Sequence, residues 1–281
     1  MMEVALVREG IHGTANGEIH FWLSENIIRD RFTLVFLPGL TADHRLFERQ
    51  IGYFQSRYNV LVWDAPGHAA SWPFELSFSL MDEARWLEEI LRAQGVEHPV
   101  LIGQSMGGYV AQAYCELYPD RIKGFVAIDS APLQRSYTTG LEIYRLIPWK
   151  YLLRWGTEGV AVSEYGRKQM RDMMQVYAGQ QERYAGLAGH GYRILAEAME
   201  ANLTYRIPCP ALLICGEKDR AGSCIRYNRA WHERTEIPLA WIPHAGHNAN
   251  ADAPETVNRL LERFAAELPQ VLTSAPGNPC R

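Results

Sequence analysis

Val100-Leu-Ile-Gly103-Gln104-Ser105-Met106-Gly107-Gly108-Tyr109 is the stretch on which the reading of this chain turns. The short apolar run Val100–Ile102 reads as a buried strand, and Tyr109–Tyr118 reads as a helix that Pro119 ends. Between them lies the spacing G-x-S-x-G, which sets a serine on a sharp turn from strand to helix. Glycines at 103, 107 and 108 let two backbones pass at close range, and the turn lifts the Ser105 hydroxyl above the sheet edge. The helix aims its first N–H groups at the same place, which favours developing negative charge. A bare G-x-S-x-G arises often by chance. The strand before it, the helix after it and the third glycine make Ser105 a candidate nucleophile.

Outward from this turn the alternation continues in both directions. Val4–Val7 and Glu18–Leu23 read as strands joined by a turn at Ala15-Asn16-Gly17, and Thr33–Leu37 and Asn59–Trp63 as further strands. A helical stretch runs from His44 to about Phe54. Leu80, Ala84, Leu87 and Leu91 share one face of a helix over Ser79–Gln94, which Gly95 stops. Phe125–Ile128 is the next strand. Near the C-terminus Ala211–Cys215 and Leu239–Ile242 read as strands, and Cys224–His232 and Pro254–Glu267 as helices. Repeated strand–helix–strand units predict an α/β fold, a mostly parallel sheet with helices on both faces. From about Leu133 to Tyr205 no strand signal occurs and the pattern is helical. There Met170, Met173, Met174 and Tyr177 share one face, which serves either ordinary helix packing or the apolar underside of a lid. The tail 273–281 reads as disordered.

Composition narrows the classes. The chain has 281 residues, 47% of them hydrophobic, enough for one large core. The net charge is −4 and there is no run of Lys or Arg, so neither a nucleic-acid partner nor a polybasic membrane anchor is expected. Val4–Val7 is too short for a signal-peptide core, and runs such as Leu34–Leu37 are too short to span a bilayer. The five cysteines are odd in number and lack C-x-x-C pairing, which argues against a disulfide framework or a zinc site and for a cytoplasmic setting.

A serine hydroxyl needs a base at neutral pH. His247, in Trp241-Ile242-Pro243-His244-Ala245-Gly246-His247, follows the last strand and so emerges at the carboxyl edge of the sheet. His244 competes with it, but Pro243 and Gly246 oppose a helix that would aim both rings at one metal ion. The acid that orients the imidazole is assigned to Asp219, just beyond the strand Ala211–Cys215, with Glu217 and Asp129 as alternatives. The oxyanion hole needs two backbone N–H groups. Met106 supplies one, and the Pro38-Gly39-Leu40 loop the other, with Leu40 the expected donor. Asp64 and His68 read as turn-forming residues. No metal or organic cofactor is called for.

Five segments together resemble the α/β-hydrolase superfamily over nearly the whole chain. They are Leu37-Pro-Gly-Leu40, Asp64-Ala-Pro-Gly67-His68-Ala-Ala-Ser71, the Gly103–Gly108 elbow, Gly216-Glu-Lys-Asp219 and Gly246-His247. The resemblance implies an eight-stranded, mostly parallel sheet formed by 1–132 and 206–272, with a helical cap at 133–205 inserted after the sixth strand. The order Ser105, Asp219, His247 is the one this fold imposes. The chain departs from many relatives at Pro38, where His precedes the loop glycine, and at Gln104, where His is frequent. A serine at the elbow sets it apart from the haloalkane dehalogenase and epoxide hydrolase branches, which need aspartate there.

The expected activity is hydrolysis of a small or medium carboxylic ester, the partner being a small acyl substrate and the oligomeric state left open. Two other readings keep the triad: C–C bond hydrolysis, lyase or perhydrolase chemistry, and a ligand-sensing receptor with weak turnover. Arg135, Arg145 and Arg154 either bind a substrate carboxylate or lie on solvated helix faces.

Overall fold

Leu34 and Phe36 point to one side of their strand and Val35 and Leu37 to the other, and all four are buried. A strand of this kind needs apolar cover on both faces. The computed structural model provides it, and describes residues 7–28, 31–144, 160–203 and 206–269.

The elements run β1 (Val7–Gly13), β2 (Glu18–Ser24), β3 (Thr33–Leu37), α1 (Glu48–Phe54), β4 (Asn59–Trp63), α2 (Leu80–Ala93), β5 (Val100–Gln104), α3 (Met106–Leu117) and β6 (Gly124–Ile128). Helices α4 (Gly140–Tyr144), α5 (Glu164–Met174) and α6 (Gln181–Glu200) follow. The chain then gives β7 (Ala211–Gly216), α7 (Cys224–Thr235), β8 (Leu239–Ile242), α8 (Ala249–Asp252) and α9 (Pro254–Glu267). All eight strands form one sheet in the order β1-β2-β4-β3-β5-β6-β7-β8. β2 runs against both its neighbours, and every pairing from β4 across to β8 is parallel.

On one face Val35, Leu37 and Leu101 pack with Leu87, Leu91 and Tyr114 of α2 and α3. On the other, Leu34, Phe36 and Ile102 pack with Ile51 and Phe54 of α1 and with Val257 and Leu261 of α9. Each fully buried side chain of this size stabilises the fold by roughly 1.5–3 kcal/mol. α2 begins with a capping box. Ser79 Oγ accepts from the Asp82 amide at 3.2 Å and the Asp82 carboxylate accepts from the Ser79 amide at 2.9 Å.

The start of the sheet and the start of α3 differ from the sequence expectation, and α8 was not expected. The first described strand is Val7–Gly13, not Val4–Val7, of which residues 4–6 fall outside the described residues. This strand lies at the sheet edge and pairs with β2 along its whole length, so backbone bonds suffice and its side chains carry no apolar period. The elbow helix starts at Met106 rather than Tyr109, because Gly107 and Gly108 are helical and their lack of a side chain is filled by neighbours. Among the described residues from Leu133 to Leu203 every regular element is helical. Met170, Met173, Met174 and Tyr177 are all buried, and of the four only Met170 also lines the cavity described below. The expected tail 273–281 lies outside the described residues. No helix among the described residues is long and apolar enough to cross a membrane.

Candidate active site

β5 ends at Gln104 and α3 begins at Met106, which leaves Ser105 alone at the corner with φ 50° and ψ −116°. A residue with a side chain adopts this conformation only where its surroundings enforce it. Here the Ser105 amide donates to the Ile128 carbonyl at 2.9 Å, and the Ser105 carbonyl accepts from Ser130 Oγ at 2.8 Å. A Cβ on Gly107 would stand 1.9 Å from the Leu37 carbonyl oxygen, and one on Gly103 2.4 Å from the Gly107 backbone. Helix and strands can meet this closely only with glycine at both places.

His247 reaches the corner from the loop after β8. Its Nε2 lies 2.9 Å from Ser105 Oγ and its Nδ1 2.9 Å from Asp219 Oδ2. A carboxylate only accepts, so Nδ1 carries the proton and Nε2 turns its lone pair to the hydroxyl. Burial works to raise the Asp219 carboxyl, but the charge and hydrogen bond of His247 and the Ala221 amide hold it below the usual carboxylate range.

Asp129 does a different job. Its two oxygens accept from the Gly216 amide at 2.7 Å and the Ala249 amide at 2.8 Å, bracing the loops that carry Asp219 and His247. Burial, and then the charge of Asp219, push its carboxyl well above the usual range. The negative charge facing the imidazole therefore sits on Asp219. Glu217 is exposed, and His244 is exposed in a left-handed turn (φ 63°), so neither joins the cluster.

Leu40 and Met106 flank Ser105. The Gly39–Ala42 turn closes through the Ala42 amide at 3.1 Å, and the Leu40 amide makes no backbone bond among the described residues. Met106 opens α3, where an N–H has no acceptor within the helix. A Cβ on Gly39 would stand 3.1 Å from Ser105 Cβ, so the loop passes directly against the serine.

A cavity of about 370 Å³ opens over Ser105 and His247, within the size range of small-molecule sites. Leu40, Ile143, Val160, Met170, Ala188 and Leu195 give it apolar walls. Tyr109, Tyr184, Tyr192 and Tyr227 add hydroxyl-bearing rings, and Arg220 is the one cationic side chain of the described lining. Arg135 is not part of that lining and lies 3.6 Å from Glu200, while Arg145 and Arg154 fall outside the described residues.

Several residues here escaped sequence reasoning. Gln104 Nε2 donates to the His247 carbonyl at 2.7 Å and to Asn248 Oδ1 at 3.1 Å, tying elbow to histidine loop. Asp252 accepts from the Gly246 amide at 2.8 Å and the Ser163 amide at 2.7 Å, tying that loop to the start of α5. Arg220 had a signal in its adjacency to Asp219 and Gln104 in its departure from the frequent histidine, whereas Asp252 had none. Asp64 Oδ1 accepts from the His44 amide at 2.7 Å and Oδ2 from the Ala70 amide at 3.0 Å, the turn-forming role expected of it.

Two side-chain groups have metal-like proximity, with donor atoms within 4.8 Å of one another: Cys215, Asp219 and Cys224, and Asp43, His44 and Asp64. In the first, Asp219 is committed to His247 and Ala221, and the Cys224 thiol is pushed up by its hydrogen bond with Cys215 and by burial. In the second, Asp43 binds Arg45 and Asp64 binds two amides. Bonds within the protein account for both.

Residues 34–260 match the alpha/beta hydrolase family. The chain belongs to that family. Family relatives include a 2-(acetamidomethylene)succinate hydrolase of Mesorhizobium japonicum, 22% identical over 82% of this chain and 87% of that protein. A 3-oxoadipate enol-lactonase of Acinetobacter baylyi is 25% identical over 83% of this chain and 88% of its own. An alpha/beta hydrolase enzyme from a Medee basin deep-sea metagenome library superimposes with a TM-score of 0.71 at 16% identity, covering 95% of this chain and all of that one. Membership in the family points to a hydrolase enzyme.

Proposed function

We propose that the chain is a serine hydrolase that cleaves a small or medium carboxylic ester through an acyl-enzyme. The observation that carries this reading is the continuous hydrogen-bonded line Ser105 Oγ–His247–Asp219, opening into a largely apolar cavity. His247 takes the Ser105 proton as Oγ attacks the ester carbonyl, and Asp219 steadies the imidazolium that results. The amides of Leu40 and Met106 receive the oxyanion. The alcohol leaves with the proton from His247, and water activated by the same base then releases the acid. The enol-lactonase among the relatives lends support, since a lactone is a cyclic ester.

Residues 133–205 act in this reading as a cap, supported by the share of the cavity wall that Ile143, Val160, Met170, Tyr184, Tyr192 and Leu195 provide. Four free cysteines among the described residues agree with a reducing, cytoplasmic setting.

Hydrolysis of short p-nitrophenyl esters tests the proposal. Wild type is expected to turn them over, and Ser105→Ala to lose at least three orders of magnitude in kcat while keeping its fold. Retention of activity in Ser105→Ala overturns the nucleophile. Turnover of a vinylogous diketone with no ester accepted moves the reaction to C–C bond hydrolysis. Tight ligand binding with release far faster than turnover moves it to sensing.

A further inference from the structure

Behind the Pro38–Leu40 loop lies a second, much smaller cavity of about 10 Å³, room for a single water centre. Its wall joins four parts of the chain: Trp63 at the end of β4, His68 in the following loop, Glu83 on α2 and His190 on α6. All four side chains are more than nine-tenths buried. Trp63 Nε1, His68 Nε2, Glu83 Oε2 and His190 Nε2 are each without a hydrogen-bond partner among the described residues. An orphaned buried polar atom bears the full cost of its desolvation. Four residues with such atoms line one small space, and this points to a shared partner.

Their hydrogen-bonding characters can be assigned. His68 Nδ1 lies 3.1 Å from the Pro66 carbonyl, which can only accept, so Nδ1 carries the proton and Nε2 is a bare acceptor. His190 Nδ1 lies 2.6 Å from an Arg193 guanidinium nitrogen, which can only donate, so Nδ1 accepts and Nε2 carries the hydrogen. The Trp63 indole is a donor. Glu83 Oε2 accepts whether the carboxyl is ionised or holds its proton on Oε1. With the Glu83 proton on Oε1, the set is two donors and two acceptors.

We propose that Trp63, His68, Glu83 and His190 bind one water molecule, which accepts from Trp63 and His190, donates to His68 and Glu83, and fastens α6 to the core behind the oxyanion loop. Water is the small molecule whose two lone pairs and two hydrogens match this set. A cation would be met by the N–H hydrogens of Trp63 and His190, which repel it. The groups are also neutral near pH 7. Burial raises Glu83 to about 8 and lowers His190 to about 4, and it lowers His68 as well, so the site holds no net charge for an ion to balance.

The water bears on the active site through α6. A Cβ on Gly191, next to His190, would stand 2.4 Å from Leu40 Cδ1, so the helix lies directly against the loop that passes beside Ser105. His190 is thus a positioning residue, a consequence that rests on the reading of Leu40 as an oxyanion donor.

The site is tested first without reference to activity. Water–amide cross-relaxation in the ¹⁵N-labelled full chain should show one indole N–H, the one lost in Trp63→Phe, in contact with a long-lived water. A crystal structure should show one density peak about 2.7–3.2 Å from all four atoms. Absence of the cross-peak, or side chains found paired with one another, overturns the water site. The positioning role is tested by kinetics. His190→Phe should lower kcat on the order of tenfold with KM within about twofold, and His190→Gln, which keeps an N–H donor, should recover most of it. Equal loss in both variants, or no loss, overturns the positioning role. Failure of the ester reading itself would show instead as Ser105→Ala retaining activity, with the bound water still detected.

Discussion

At the scale of single residues, the two buried aspartates separate orientation of the base from support of its loop. Asp219 touches His247, whereas Asp129 touches only the Gly216 and Ala249 amides in the bonds described. Asp219→Asn is expected to keep the fold and lower kcat by about three to four orders of magnitude, because an amide in that place favours the wrong imidazole tautomer. Asp129→Asn sets an NH2 group against one of two backbone donors. It should cost about 1–3 kcal/mol of stability, seen in urea unfolding, with a smaller loss of kcat. Full activity in Asp219→Asn together with an inactive but stable Asp129→Asn would reverse the two roles. The sequence favoured Asp219 from its place in the chain order and kept Asp129 as an alternative. Each follows a strand at the carboxyl edge, and the choice depends on which carboxylate faces the ring across neighbouring strands. Gln104 was legible only as a departure from histidine. Its bond to the His247 carbonyl joins residues 143 positions apart, and no local pattern encodes such a contact.

At the scale of elements, legibility tracked burial. β3, β4 and α9 fall on the expected residues because strands buried on two faces and an amphipathic helix announce themselves through apolar runs and spacing, and the half-buried edge strand β8 is found through its short apolar run Leu239–Ile242. β1 did not, since an edge strand is held by its backbone and its side chains alternate between exposed and half-buried. α8 escaped as well, being one turn set by the Asn248 carbonyl, which accepts the Ala251 amide at 2.9 Å. α2 allows a clean element-level test, because its capping box is remote from the cavity lining. Ser79→Ala removes the side-chain acceptor for the Asp82 amide. It should destabilise the protein by about 1 kcal/mol, lowering Tm by about 2 °C for a domain of this size. Ester turnover per folded molecule should not change. A variant that melts with wild type would mean that the box adds nothing to the helix.

At the scale of the whole molecule, the sheet and its helical covers were readable, whereas the fit of 133–205 onto them was not. Ile143, Tyr184 and Leu195 come together over Ser105 only after α4 and α6 pack on a sheet formed by residues far away in the chain. The burial of Glu83 and His190 between those parts gives the folded state opposing pH dependences. Glu83 titrates near 4.5 when exposed and about 8 in the fold, facing His68 and His190 across the small cavity and Asp82 beside it. Between those values the folded chain holds a proton that the unfolded chain has lost. Its stabilising contribution is therefore whole below about 4.5 and is lost as pH rises through about 8. His190 runs the other way, from 6.5 exposed to about 4 in the fold, so its contribution is whole above 6.5 and is lost as pH falls through about 4. Melting curves of wild type, Glu83→Gln and His190→Phe across pH separate the two. The gap in Tm between wild type and Glu83→Gln should shrink as pH rises across the window from about 4.5 to about 8. That between wild type and His190→Phe should shrink as pH falls from 6.5 to about 4. Because each variant removes one titration and leaves the other, a gap that stays level across its window would mean that the side chain titrates in the fold as it does in water, and so that water reaches it freely.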